Sequence, residues 1–152
     1  MTSAPGGAGT ARHHAREAAL QMLYQWEIGR AAVDDVLRSY WASAGRDLSA
    51  RARAFADALL RGTVAAVAEI DARVAAHAQH WRLERMAVVD RAILRLAVHE
   101  LQQGDVPPKV VINEALELAR TFSTEEAVRF VNGVLDAVRR GMDDQGRVTS
   151  NE

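Results

Sequence analysis

Apolar residues recur with the 3.6-residue period of an α-helix in almost every segment between residues 11 and 141, and glycine and proline fall between those segments, Gly133 excepted. The pattern predicts an all-α chain. A first helix is predicted over residues 12–28, ended by Gly29, with Ala19, Met22, Leu23 and Trp26 as its apolar stripe. A shorter helix follows over residues 33–42, then a polar loop at 43–47 and a long helical region over 49–79. Phe55, Leu59, Val64 and Val67 are its core candidates, and a break is expected at 80–83. The next helix spans residues 89–103 and stops at Gly104. Leu94, Ala97, Val98 and Leu101 form its buried stripe, and Arg91, Arg95 and His99 step along a more exposed side. Pro107 and Pro108 then punctuate the chain, with Pro108 tolerated in a first helical turn, and Val111, Ala115, Leu118 and Phe122 mark an inner face. Ser123 and Glu126 have capping-box spacing, which starts the last helix near Thr124; Gly141 is expected to end it. Residues 1–10 and 142–152 are too poor in apolar surface to repay ordering and are expected to be a flexible arm and tail around a domain at 11–141.

A chain of 152 residues, 49% hydrophobic and 26% charged, has the size and composition of one soluble globular domain. The absence of cysteine removes disulfides, thiolate chemistry and cysteine zinc sites from consideration. No apolar run nears the ~20 residues of a spanning helix and no basic segment followed by an apolar one opens the chain, so a cytoplasmic location with no membrane association is expected. The net charge of -1 and pI of about 6.5 are far from the values of proteins that coat nucleic acid by bulk charge. Nucleic-acid binding would therefore need a local patch and favours help from a protein partner.

Chemistry-bearing residues are few. Gly133 costs its helix about 1 kcal/mol relative to alanine, which asks for close approach of another helix or, less often, of a ligand backbone. Asn132 beside it is a poor helix former with a two-ended amide, suited to bridging a loop or contacting RNA. The run Arg12-His13-His14-Ala15-Arg16 concentrates cations at a predicted helix start, against the macrodipole; it reads as solvated surface or as a phosphate-contacting patch, with Tyr24 and the later phenylalanines available to stack on unpaired bases. His77 and His80 have a spacing that suits a metal but lack a third ligand. Glu114 and Glu117 share a helix side without a nucleophile, histidine or metal motif, and no phosphate-binding glycine loop or nucleophile elbow is present. An enzyme is disfavoured.

Three separated motifs, ARHHAREAALQMLYQWE, VVDRAILRLAVHEL, and VPPKVVINEALELARTF followed by FVNGVLD, resemble the bacterial NusB family of transcription antitermination factors, in that family's order and over most of the chain. The resemblance implies about seven helices in two small helical subdomains. It implies no enzyme activity and no cofactor. It also implies binding of the boxA element of nascent ribosomal RNA leaders together with ribosomal protein S10 (NusE), within the antitermination complex of RNA polymerase; the helical surface suits either a monomer or a homodimer. Carried residue by residue, the RNA-facing set is Arg12, His13, His14, Arg16 and Tyr24 from the first helix and Phe122, Glu126, Arg129, Phe130 and Asn132 from the last two. The S10-facing set is Glu84, Asp90, Arg91 and Arg95. Relatives often carry arginine where this chain has His13 and His14, so fewer permanent charges would face phosphate; Glu126 would repel it. The alternative is an RNA-binding NusB-like module of, or partner to, a ribosomal RNA cytosine methyltransferase. A third reading is a scaffold that only dimerises.

Overall fold

The computed structural model describes the backbone of residues 7–44, 46–78 and 85–150 and the side chains of those between 9 and 145. The described residues form seven helices, divided between two compact units, Met1–Ala65 and Ala66–Glu152. Among them no helix is long and apolar enough to cross a membrane.

The first unit holds α1 (Gly7–Gly29), α2 (Val33–Ser43) and α3 (Ala50–Ala65), with α1 packed mainly on α3. Alanines let the two helices approach: Ala15, Ala18 and Ala19 of α1 and Ala52 and Ala56 of α3 are all buried, with Met22, Leu23 and Leu60 filling the space around them. Burying each of the larger side chains contributes roughly 1.5–3 kcal/mol. α2 adds Val36, Leu37 and Tyr40 and is tied down by two side-chain bonds. The Tyr40 hydroxyl donates to Gln21 Oε1 at 2.5 Å, and Trp41 Nε1 donates to Asp57 Oδ1 at 2.8 Å. Helix α1 starts at Gly7, so the basic run from Arg12 lies beyond the first turn. The expected dipole penalty does not arise there, because that effect fades within one turn. The helix does end at Gly29, although the left-handed residue beyond it is Arg30, at φ 52°.

The second unit contains α4 (Val67–His77), α5 (Val88–Gln103), α6 (Pro108–Phe122) and α7 (Glu125–Ser150). The long helical region expected over 49–79 is two helices, broken by a turn at Ala66, and the break expected at 80–83 lies outside the described residues. Helix α5 is packed by α4, α6 and α7 together, which leaves Ala92 through Glu100 buried without interruption. A helix surrounded on all sides has no exposed stripe. This corrects the expected exposure of Arg95 and His99. Arg95 extends to Asp71 of α4, its Nε and Nη2 donating to the two carboxylate oxygens at 2.8 Å each. His99 is 8% exposed and its Nδ1 has no hydrogen-bond partner; burial pushes its pKa below the ordinary value, partly offset by Glu100.

Helix ends follow local chemistry, with two differences from expectation. Gly104 closes α5 at φ 75°, and Pro108 opens α6. The N-cap of α7 is Thr124, whose Oγ1 accepts the Ala127 N–H at 3.0 Å. Ser123 instead donates its hydroxyl to Asp90 Oδ1 at 2.6 Å, so the expected capping box is replaced by a one-sided cap at Thr124. The second difference concerns glycines. Helix α7 continues through Gly141 to Ser150, and a Cβ at Gly141 would lie 2.9 Å from the His77 ring. At Gly133 a Cβ would meet nothing within 4 Å. Close helix approach therefore belongs to Gly141, and Gly133 faces open space.

Candidate nucleic-acid interface

In the first unit the α1 basic run is built around Phe55 of α3. Arg12 and Arg16, one turn apart, place their guanidinium carbons 4.8 and 5.1 Å from the Phe55 ring centroid. Arg12 is exposed, whereas Arg16 is 4% exposed and serves as packing behind the ring, not as a free phosphate contact. His13 Nε2 stands 3.5 Å from Glu17 Oε2, and Glu17 also accepts from Arg46 at 3.3 Å. His14 is exposed, its ring centroid 5.8 Å from that of His13. Tyr24 is 42% exposed on the same helix, about 18 Å beyond Arg12 along its axis.

In the second unit the start of α5 and the first turns of α7 enclose a cavity of about 460 Å³, whose lining includes Arg85, Met86, Asp90, Glu126, Arg129 and Phe130. Its position is fixed by the Ser123–Asp90 bond, which ties the α6–α7 corner to the first turn of α5. Two guanidiniums, two carboxylates and a half-buried aromatic converge on it. Three of the RNA candidates, Glu126, Arg129 and Phe130, thus share one cavity with the S10 candidate Asp90. Asn132 is exposed further along α7 and Phe122 is half-buried at the end of α6; neither lines the cavity. Arg91 is half-buried and donates to the Met86 carbonyl at 3.4 Å. Arg95 is committed to Asp71 and does not offer an exposed contact. Glu84 and the metal candidate His80 lie outside the described residues. His77 packs at Gly141, and among the described residues no group of three His, Asp or Glu could hold a metal ion.

A sequence model of the NusB family matches residues 13–140. The chain belongs to the NusB family. It is 52% identical over 131 residues to the transcription antitermination protein NusB of Solibacter usitatus (strain Ellin6076), covering 86% of this chain and 90% of that protein. It is 46% identical over 140 residues to that of Koribacter versatilis (strain Ellin345), covering 91% and 95%. Among solved structures it resembles T. maritima NusB, with a TM-score of 0.76 and 33% identity over 85% of this chain and 90% of that one. It also resembles a chain in the crystal structure of antitermination factors NusB and NusE in complex with double-stranded RNA, with a TM-score of 0.78 and 27% identity over 87% and 98%.

For this NusB-family chain, periodicity alone missed two residues. Phe55 was a core candidate by its apolarity, yet it is half-buried and carries the guanidiniums of Arg12 and Arg16, which come from a different helix and leave no local spacing to read. Asp71 has no local pattern that announces a partner 24 positions away.

Proposed function

We propose that this chain is a transcription antitermination factor, not an enzyme, that acts in the cytoplasm. It holds boxA-type single-stranded RNA of nascent ribosomal RNA leaders together with ribosomal protein S10, and the complex makes RNA polymerase resistant to termination. The observation that carries this reading is the cavity between α5 and α7, where the RNA candidates Glu126, Arg129 and Phe130 meet the S10 candidate Asp90. Family membership and the relative solved with NusE and double-stranded RNA support the same pair of partners. In the first unit, exposed Arg12 offers positive charge to phosphate, exposed His14 offers a ring N–H, and Tyr24 offers a stacking face. Phosphate contacts would position the strand, while stacking and base-edge bonds would select it. The methyltransferase-module alternative is not favoured, since the curated relatives carry the antitermination name over nearly their whole length.

Two variants in the α7 portion of the cavity test the proposal. With S10 present, Phe130→Ala should weaken binding to a boxA RNA by about tenfold or more, the order of one lost base stack. Glu126→Gln should strengthen it a few-fold by removing a carboxylate near phosphate. Unchanged affinity in both variants would remove the α5–α7 cavity from the RNA site.

A further inference from the structure

We infer that the RNA site of the first unit extends onto α3, where Arg51 and Arg12 bracket a subsite for one nucleotide of the bound strand, its phosphate held by the two guanidiniums. The inference rests on the RNA-binding reading above and adds a charged contact from α3, a helix that the sequence motifs did not implicate.

A concavity of about 360 Å³ opens between the starts of α1 and α3, lined by Arg12, Arg51, Ser49, Phe55 and the small residues around them. That volume is at the lower end of small-molecule sites, the scale of one nucleotide. Its electrostatics are one-sided. No acidic residue lines it, and neither Arg12 nor Arg51 meets a carboxylate among the described residues. Of the acids in this unit, Glu17 is engaged by His13 and Arg46, Asp57 by Trp41 and Asp34 by Arg61, while the exposed Asp47 precedes α3 without lining the concavity. The two guanidiniums therefore present a positive patch that a phosphate would complement. Ser49 Oγ accepts the Ala52 N–H at 3.1 Å, so that first-turn donor is already engaged.

The remaining lining favours a nucleotide over a bare anion. Phe55 holds the Arg12 guanidinium 4.8 Å from its centroid, fixing a planar cation at the rim, and such planes stack on bases while donating to phosphate. Gly9, Ala11 and Ala52 leave apolar room beside it for a sugar. Arg12 belongs both to this concavity and to the α1 basic run, so the subsite continues the strand path already proposed. The charge distribution agrees, since the first 65 residues carry eight arginines against six acids within a chain whose net charge is -1.

The test is fluorescence anisotropy of a labelled boxA RNA titrated with the full chain in the presence of S10, repeated across salt concentrations. Arg51→Ala should weaken RNA binding by about tenfold, as for one charge-assisted phosphate bond. It should also lower the slope of log affinity against log salt by about 0.7, the value for one phosphate of a single strand. Arg51→Lys should restore the slope but only part of the affinity. Arg53→Ala, at a guanidinium that lies 4.6 Å from the Trp41 ring centroid outside the concavity, should change neither. Arg51 is exposed, and unchanged S10 binding without RNA would verify that its variants fold. Wild-type affinity and slope in Arg51→Ala, or an equal loss in Arg53→Ala, would overturn the subsite while leaving boxA recognition by the wild type intact. A wild-type chain that binds boxA and scrambled RNA alike would overturn the subsite and the RNA-binding reading together.

Discussion

Arg95 and Asp71 form a two-bond fork in which the arginine side chain is only 10% exposed and the carboxylate 29%. Removing one member leaves the other charge poorly solvated, a more expensive situation than the absence of both. Arg95→Ala should therefore destabilise the protein by about 2–3 kcal/mol in chemical denaturation, while leaving S10 affinity unchanged under conditions where the variant is folded. A stable Arg95→Ala protein with weakened S10 binding would return Arg95 to the partner surface. The same physics limits what side-chain type reveals about position. Arg16, Arg95 and His99 read as polar surface because their charge sits at the end of a long or amphipathic group, yet each is nearly enclosed. Leu94, Ala97 and Val98 were legible as core, because nothing competes with burial for an aliphatic side chain.

At the scale of an element, α7 shows how the same residue type takes opposite roles. Gly133 sits in mid-helix with open space where a Cβ would stand, so Gly133→Ala should raise stability by about 1 kcal/mol through helix propensity. Gly141→Ala should forfeit that gain, since its Cβ would lie 2.9 Å from the His77 ring and the imidazole would have to turn away. Parallel urea titrations measure both; equal gains would mean that the His77 contact carries no constraint. Helix existence was legible from periodicity, and so were the ends marked by Gly104 and Pro108, where backbone geometry dictates residue type. Less legible were the break at Ala66, which no glycine or proline marks, and the choice between Ser123 and Thr124 as cap. Asp90 decides the latter from a different helix by accepting the serine hydroxyl.

At the scale of the whole molecule, two helical units provide two separate sets of candidate RNA contacts. The first is basic and built on Phe55; the second is charge-balanced and built on Phe130. Asn132 and Gly133 of the motif FVNGVLD were legible as candidates because their types are costly in a helix, and the arginines of α1 because they cluster with two histidines. Arg51 was not, since an arginine on a helix surface is ordinary until the fold places it beside Arg12 in one concavity. A near-neutral chain that carries only local patches should depend on its partner for affinity. The most direct measurement is binding of a boxA RNA and a scrambled RNA of equal length, in single-stranded and duplex form, with and without S10. Clear preference for boxA that is strengthened by S10 is the predicted result. Equal, weak binding to both sequences in every condition would contradict the assignment of this chain to RNA-dependent antitermination.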